Sequence, residues 1–145
     1  MKERHLGREL ALTTLYALDF NEQLIEGEFP KDFPGISEEE LQEINEEALT
    51  FARYLIQGTI ENLNEINGLI EQFSINRPLD KIDLIDRNIL RISVYSLLYI
   101  PEIHPHIVIT EAVQLSQEYS REVNYKFING ILDSMVKERD GNFKK

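Results

Sequence analysis

The sequence predicts an all-α fold, and three observations support this prediction. Apolar residues recur at spacings of three and four through most of the 145 residues. No segment of the sequence alternates between apolar and polar residues with period two, as a half-buried strand would. Short stretches rich in proline, glycine or polar residues separate the periodic segments. Together these patterns predict a bundle of about five to seven helices with short connections.

The first predicted helix runs from about Arg4 to Phe20. Leucine and alanine residues recur along one stripe of this segment, as in an amphipathic helix. The next stretch, GEFPKDFPG at 27–35, packs two prolines and two glycines into nine residues. Its composition predicts a loop.

A long second helix is predicted over roughly 38–74, because apolar residues continue at helical spacing from Leu41 to Phe73. Ser37 and Glu40 have the spacing of a capping box that would begin this helix. We expect a bend or a break near Gly58 or Gly68. The acidic run EEELQEINEE lies at the predicted N-terminal end, where the helix dipole favours carboxylates, and we interpret it as a solvated cap.

The segment RPLDKIDLIDRNILRISVYSLLYIP at 77–101 has the highest apolar density, with a proline near each end. A helix that is apolar on much of its circumference is expected to be central in the bundle. Two further helices follow in the prediction, one over about 106–119 and one that begins near Asn124 and ends before Gly141.

The formal net charge of −11 is not spread evenly along the chain. Residues 20–75 hold thirteen acidic and two basic side chains, whereas the segments on either side are balanced. An acidic average therefore does not exclude a polyanion as partner, because the two ends can offer a neutral or basic face. The absence of cysteine excludes disulfides and thiolate metal sites, and it favours a reducing compartment, which we expect to be the cytoplasm.

The sequence predicts neither membrane insertion nor enzymatic chemistry. The longest apolar runs are four residues, far short of the roughly 20 that cross a bilayer. The seven glycines are scattered, so they form no phosphate-binding loop. His104 and His106 could both approach one metal ion, but no acidic pair nearby has ligand spacing, and we interpret them as part of a loop. We therefore expect no catalytic residue, no metal and no cofactor.

Four ordered motifs resemble the NusB family of bacterial transcription antitermination factors. They are RELALTTLYALDF, IDRNILRISVYSLLY, VITEAVQLSQEYS and NYKFINGILD. The resemblance covers nearly the whole chain. Because four motifs occur in the family order, the resemblance is more specific than any single motif would be. The arginine-rich start of the family pattern is reduced here to Arg4 and Arg8.

The resemblance implies a helical protein of about seven helices in one RNA-binding domain over 1–145. It implies two small packed subdomains, at about 1–76 and 77–145. A member of this family binds boxA-type single-stranded RNA in the leaders of ribosomal RNA operons. It acts with the ribosomal protein NusE in an antitermination complex that keeps RNA polymerase elongating, and it has neither enzymatic activity nor a cofactor.

Arg4 and Arg8 are the first candidate RNA ligands. Each lies near the N-terminus of a helix, where positive charge is unfavourable by roughly 0.3–1 kcal/mol. They are one turn apart on one face, so a phosphate backbone could offset this penalty. The alternative is pairing with Glu3, Glu9 or the acidic middle of the chain. The resemblance adds His5 to the candidate group.

A second candidate RNA contact lies in NYKFING, where Tyr125 and Phe127 flank Lys126. Single-strand binders combine aromatic stacking with backbone charge in this way. Phe127 also lies on the helical stripe of Ile131 and Met135, so it could instead belong to the core. We expect the first helix and the start of the last to form one RNA surface.

For the protein partner, the predicted contact is the acidic edge of Asp80, Asp83 and Asp86, since ribosomal proteins are generally basic. Tyr16 and Tyr95 are candidates for a neighbouring apolar contact, and each could equally be core. We expect charge reversal at Asp86 to slow association with NusE without unfolding the bundle. The alternative function is a helical scaffold or homodimer that uses the 38–74 pattern as a coiled-coil seam and does not contact RNA.

Overall fold

Seven α-helices and one 3₁₀ turn make up the part of the chain that the structure describes. The structure is a computed structural model that describes the backbone of residues 2–143 and the side chains of residues 2–139. The helices are α1 (Lys2–Phe20), α2 (Glu38–Gln42), α3 (Glu46–Glu61), α4 (Leu63–Phe73), α5 (Leu84–Tyr99), α6 (Pro105–Tyr119) and α7 (Asn124–Phe143), with the 3₁₀ turn at Leu79–Lys81. No strand occurs within that backbone range. The predicted all-α fold is confirmed.

Helix α1 packs against α3 and α5. Its apolar stripe includes Leu10, Ala11 and Leu15, which are buried. Gly7 lets α1 approach α3 closely, because a Cβ atom at this position would lie 2.8 Å from Cδ2 of Phe51. The loop predicted after α1 is present, and it contains two glycines with left-handed φ angles.

The prediction of one long helix over 38–74 is wrong, because three helices occupy that range. The capping box is confirmed: the amide of Glu40 donates to Oγ of Ser37 over 3.2 Å, and the Ser37 amide donates to Oε1 of Glu40 over 3.3 Å. It begins only the five-residue helix α2. The break at Asn62 lies one turn beyond Gly58, close to an expected position, whereas the break at Asn45 was not predicted.

Each asparagine provides its own hydrogen bond at the break. Oδ1 of Asn45 accepts from the amide of Glu47 over 2.7 Å, which caps the N-terminus of α3. The side-chain amide of Asn62 donates to the carbonyl of Gly58 over 2.9 Å, at the end of the same helix. Asparagine side chains compete with the helical ladder in this way, so they favour helix ends.

Helix α5 is central, as predicted, and contacts α1, α3, α4, α6 and α7. It begins at Leu84 rather than near Pro78, because residues 79–81 form the 3₁₀ turn and Asp83 holds the N-cap position. Every residue from Asn88 to Leu97 is buried. Among the described side chains, one apolar core spans both predicted subdomains. Its fully buried side chains include Leu15, Leu55, Ile60, Ile66, Ile89, Leu90, Leu115, Ile128 and Leu132. The division near 76–77 stays a prediction.

The last two helices begin close to their predicted starts. At α6, Nδ1 of His104 accepts from the amide of His106 over 3.0 Å, so this pair forms a helix cap. Helix α7 continues to Phe143, so Gly141 lies within the helix rather than beyond its end. In the described residues, none of the helices is both long enough and apolar enough to span a membrane.

Candidate nucleic-acid and protein interfaces

The first-helix arginines lie against an aromatic ring of α3. Cζ of Arg4 is 4.4 Å from the centre of the Phe51 ring, and Cζ of Arg8 is 5.3 Å from the same centre. Arg4 is exposed, whereas Arg8 is only 5% exposed. Beside them is a hollow of about 440 Å³ whose lining also includes Tyr54 and Ile107. Arg4 is therefore open to a ligand, while Arg8 is part of the packing.

His5 and Arg8 pair with carboxylates of α6 and of α1 itself. Oε2 of Glu111 lies 2.9 Å from Nδ1 of His5, and Oε1 of Glu111 lies 3.7 Å from Nη1 of Arg8. Nε2 of His5 lies 3.0 Å from Oε1 of Glu118 and 3.8 Å from Oε1 of Glu9. We call His5, Glu9, Glu111 and Glu118 the N-terminal ion cluster. The carboxylate that pairs with Arg8 thus comes from α6, which neither sequence interpretation anticipated.

The pKa values in this region follow from burial and from the neighbouring charges. Burial alone would lower the pKa of His5, but the hydrogen bond with Glu111 and the charges of Glu9, Glu111 and Glu118 together raise it above 6.5. Burial lowers the pKa of Arg8, and Glu111 opposes this shift. His5 and Arg8 are therefore already partnered, and Arg4 is the cation of this group that faces solvent.

The opposite end of α1 holds a carboxylate between arginines. Oδ2 of Asp19 accepts from Nε of Arg87 over 2.7 Å and from Nη1 of Arg91 over 2.7 Å. Nδ2 of Asn88 donates to the same oxygen over 3.0 Å. We call Asp19, Arg87, Asn88 and Arg91 the C-terminal clamp. Burial would raise the pKa of Asp19, but the hydrogen bonds and charges of the arginines lower it below its ordinary value.

Sequence reasoning missed the C-terminal clamp, although a signal was present. A carboxylate in the last turn of a helix opposes the helix dipole, so Asp19 needs basic partners from elsewhere in the fold. The motif IDRNILR supplies these partners through Arg87 and Arg91. This motif therefore contributes to packing between α1 and α5.

A cation and an aromatic ring also meet at the start of α7. Cζ of Arg77 lies 4.3 Å from the centre of the Phe127 ring, and Lys126 beside it is exposed. A hollow of about 400 Å³ separates the 74–77 loop from the first turns of α7, and Ile75 in its lining is 88% exposed. We call Ile75, Arg77, Lys126 and Phe127 the loop–helix patch.

Phe127 in this patch fits both interpretations of the sequence, an exposed contact and a core residue, in part. Its ring is half-buried against the core and also lines the hollow. Tyr125 is half-buried and precedes these residues in α7, outside the lining of the hollow. Sequence reasoning missed Arg77 and Ile75, because only the folded chain brings the 74–77 loop beside α7.

The arginines of α1 and the start of α7 do not line one hollow. The contacts that connect these regions run along the end of α6. His5 reaches Glu118, the hydroxyl of Tyr119 donates to Glu9, and Nδ2 of Asn124 donates to Oγ of Ser120 over 3.2 Å. The single RNA surface therefore stays a prediction, with one hollow beside Phe51 and another at the loop–helix patch.

Only part of the predicted acidic edge is exposed to solvent. Asp80 and Asp83 are exposed, but Asp86 is 1% exposed. Oδ2 of Asp86 accepts from Nδ2 of Asn124 over 2.7 Å, which joins α5 to α7, and burial raises the pKa of Asp86. The expectation that charge reversal at Asp86 leaves the bundle folded needs correction, because reversal would place an ammonium group in a buried contact.

The structure separates the two tyrosines that were candidates for the partner contact. Tyr95 is 5% exposed and stacks on Tyr99, with ring centres 5.4 Å apart, so it belongs to the core. Tyr16 is half-buried and stacks on Phe20 with ring centres 6.1 Å apart. Phe20 is 63% exposed, so this pair offers an apolar surface at the end of α1.

Comparison with known proteins gives a consistent result. The NusB family model matches residues 5–137. The transcription antitermination protein NusB of Borreliella burgdorferi is 35% identical over 142 residues, which cover 97% of this chain and 99% of that protein. The corresponding protein of Myxococcus xanthus is 36% identical over 136 residues, which cover 94% and 96% of the two chains.

Solved structures support the same assignment. NusB of T. maritima is similar with a TM-score of 0.79 at 32% identity, covering 93% of this chain and 91% of that one. One chain of a crystal structure of the antitermination factors NusB and NusE in complex with double-stranded RNA is similar with a TM-score of 0.80 at 28% identity, covering 95% of this chain and 98% of that one. With four sequence motifs, a matching fold and near-complete coverage, the chain belongs to the NusB family.

Proposed function

We propose that this protein is a transcription antitermination factor that binds boxA-type single-stranded RNA of ribosomal RNA operon leaders together with NusE. In this role it supports processive elongation by RNA polymerase in the cytoplasm, and it acts by binding rather than by catalysis. Support comes from the family match over residues 5–137 and from the similar NusB chain that was solved with NusE and RNA.

The loop–helix patch is the observation that carries the RNA-binding proposal. It presents two basic side chains, Arg77 and Lys126, beside the half-buried ring of Phe127. Proteins that bind single strands combine basic groups along the backbone with aromatic rings on which bases stack, and stacking contributes about 1–3 kcal/mol per base. Tyr125, on the same turn of α7, would extend this contact.

Arg4 would provide a second, phosphate-directed contact. It is exposed above Phe51, whereas Arg8 and His5 are engaged by Glu111. We therefore assign the phosphate contact to Arg4 and a positioning role to the other two side chains. Glu111 offsets the positive charge of Arg8 near the N-terminus of α1 before RNA binds, and RNA would do the same for Arg4.

For NusE, we propose a surface where the end of α1 meets the start of α5. The Asp19–Arg87 pair fixes these two helix ends against each other. The surface would combine the stacked Tyr16–Phe20 pair with the exposed carboxylates of Asp80 and Asp83. Opposite charge on a basic partner would mainly speed association and set its orientation.

Titration of labelled boxA RNA at two salt concentrations, with and without NusE, tests the proposal. Arg77→Ala and Lys126→Ala should weaken binding, and each lost phosphate contact should reduce the salt slope by about 0.7. Arg53→Ala is a matched control, since Cζ of Arg53 lies 5.2 Å from the centre of the Phe33 ring, another arginine–phenylalanine pair. Equal behaviour of the patch variants and this control would refute the assignment.

The alternative function, a scaffold or homodimer without RNA contact, has lost its main structural support. The proposed coiled-coil seam over 38–74 is divided among three helices. Size-exclusion chromatography with the same titration distinguishes the two functions. A dimer whose elution is unchanged by boxA RNA and NusE, with no RNA binding, would favour the scaffold.

A further inference from the structure

Three side chains with metal-binding atoms converge where α1 meets α6. His5 and Glu9 are one turn apart on α1, and Glu118 lies near the end of α6. Nε2 of His5 is 3.0 Å from Oε1 of Glu118 and 3.8 Å from Oε1 of Glu9. One such atom from each of the three residues lies within 4.8 Å of the other two.

These separations suit a small divalent ion. Tetrahedral zinc holds nitrogen and oxygen ligands at about 2.0–2.1 Å, which places two ligands about 3.4 Å apart. The separations from Nε2 of His5, 3.0 Å to Glu118 and 3.8 Å to Glu9, lie on either side of that value. The Glu118 side chain is 38% exposed, so the site is open to solvent and to a water ligand.

Two neighbouring groups orient these atoms in the way that metal sites require. Oε2 of Glu111 lies 2.9 Å from Nδ1 of His5, where it can accept the Nδ1 proton and leave the lone pair of Nε2 directed at the other carboxylates. The hydroxyl of Tyr119 donates to Oε2 of Glu9, so the other oxygen of Glu9 faces His5. Metal-bound histidines almost always donate their second N–H to a carboxylate, a carbonyl or water.

The charge balance of the cluster also favours a cation. Three carboxylates surround one imidazole, and Arg8 approaches only Glu111, at 3.7 Å. A divalent ion at Nε2 of His5 would offset the negative charge of these carboxylates.

Against the expectation from the sequence that no metal binds, we propose that His5, Glu9 and Glu118 bind one divalent transition-metal ion, such as Zn²⁺ or Co²⁺, while Glu111 orients the imidazole. A nitrogen ligand with carboxylate oxygens suits these ions better than Mg²⁺ or Ca²⁺, which favour oxygen ligands alone. The ion would tether the first turns of α1 to the end of α6. This inference does not depend on RNA binding.

The test uses the full chain without added histidines, after chelator treatment. Calorimetric titration with ZnCl₂ at pH 7.5 should saturate at about one ion per chain. Co²⁺ should produce visible absorption bands that saturate at the same stoichiometry. The melting temperature should rise with metal concentration, since the ion binds the folded state.

Substitutions of single residues identify which side chains bind the ion. Glu118→Gln should weaken Zn²⁺ binding at least about tenfold, because loss of a mere supporting residue already costs 10–100-fold. His5→Gln should abolish the Co²⁺ bands. Glu122→Gln and His106→Gln alter exposed side chains outside the cluster and should bind as the parent does. Circular dichroism without metal checks that each variant is folded.

Two results would overturn the proposal. One is the absence of saturable binding up to millimolar Zn²⁺. The other is binding that persists unchanged in Glu118→Gln and His5→Gln, which would place the ion elsewhere on the chain. Neither result affects the RNA proposal, whose variants lie in the loop–helix patch.

Discussion

The two ends of α1 differ in the sign of the charge that predominates. Basic side chains surround a carboxylate at one end, and carboxylates surround an imidazole at the other. At the C-terminal clamp, the carboxylate of Asp19 receives hydrogen bonds from two arginines and one asparagine, and Arg91 is 4% exposed. At the N-terminal ion cluster, the imidazole of His5 meets three carboxylates, and these side chains remain partly exposed. The carboxylate of the clamp is paired with basic groups, whereas three carboxylates surround one imidazole in the ion cluster, and the proposed metal site rests on this difference.

In both places, a side chain of the wrong sign for the helix dipole marks a tertiary contact. Asp19 opposes the dipole in the last turn of α1, and Arg8 opposes it near the first turns. Arg87 and Arg91 offset the first penalty, and Glu111 offsets the second. Charges that local helix rules disfavour can therefore identify positions that contact another element.

The largest predicted effect is at the clamp. Asp19→Asn should lower the free energy of unfolding by about 3–5 kcal/mol, because it leaves the buried Arg91 and the half-buried Arg87 without their carboxylate. Urea denaturation followed by circular dichroism measures this change. Asp133→Asn, which removes an exposed pair with Lys137, is the control and should change stability by less than about 0.5 kcal/mol.

The same carboxylate gives the clamp a defined pH dependence. Because the pKa of Asp19 is lowered in the folded state, its stabilising contribution is full above its unfolded value of about 3.9. It is lost as pH falls through the lower, folded pKa. Asp19→Asn should therefore lose less stability than the parent protein on acidification below about pH 4. If the parent protein and Asp19→Asn lost stability equally on acidification, the ionised carboxylate of Asp19 would not stabilise the clamp.

A smaller effect is expected where the N-terminal end of α1 packs on α3. Gly7→Ala should destabilise the protein by about 1–3 kcal/mol, because the new Cβ would lie 2.8 Å from Cδ2 of Phe51. Gly68→Ala is the matched control, since nothing lies within 4 Å of its added Cβ. The control should stabilise α4 by up to about 1 kcal/mol through helix propensity. Thermal unfolding of both variants should move in opposite directions.

The ion cluster should show the reverse pH dependence in chelator-treated protein. Since the pKa of His5 is raised in the folded state, its contribution is full below its unfolded value of about 6.5 and is lost as pH rises through the folded pKa. The groups that face it are Glu9, Glu111 and Glu118, with Arg8 nearby. The stability difference between parent and His5→Gln should shrink from pH 6 to pH 9 in urea titrations. A stability difference that stays constant with pH would show that these carboxylates do not stabilise the protonated form of His5.

The smallest effect is expected for an exposed ion pair beside the acidic edge. Arg121 and Asp83 are 3.9 Å apart, with side chains 83% and 47% exposed. Arg121→Ala should change unfolding free energy by less than about 0.5 kcal/mol. A loss above 1 kcal/mol in urea denaturation would show that this edge is a structural element like the clamp.

The sequence predicts the helices better than it predicts their ends or their contacts. Periodicity identifies the helices and the central position of α5, because the spacing of apolar residues shows how much of a helix surface is buried. It does not show the breaks at Asn45 and Asn62, since apolar residues continue at compatible spacing across both asparagines. Glycine was the expected breaker, yet Gly58 and Gly68 lie within helices.

The candidate site is less predictable because it depends on contacts between distant segments. Lys126 and Phe127 could be selected from a local pattern, but Arg77 joins them only through the fold. Arg8 and Asp86 were selected as charged residues, and only packing shows that both are buried. Local sequence gives the chemistry of a side chain, whereas its exposure is decided by the rest of the chain.

We propose that RNA binds the loop–helix patch, which presents Arg77 and Lys126, rather than the N-terminal ion cluster, which presents three carboxylates. Photo-crosslinking of boxA RNA that carries 4-thiouridine, in the presence of NusE, tests it most directly when the crosslinked peptides are identified by mass spectrometry. We predict crosslinks at Phe127 or its neighbours Tyr125 and Lys126, and their loss in Arg77→Ala. Crosslinks confined to the peptides that carry Glu111 and Glu118, with none in the first turns of α7, would contradict the account.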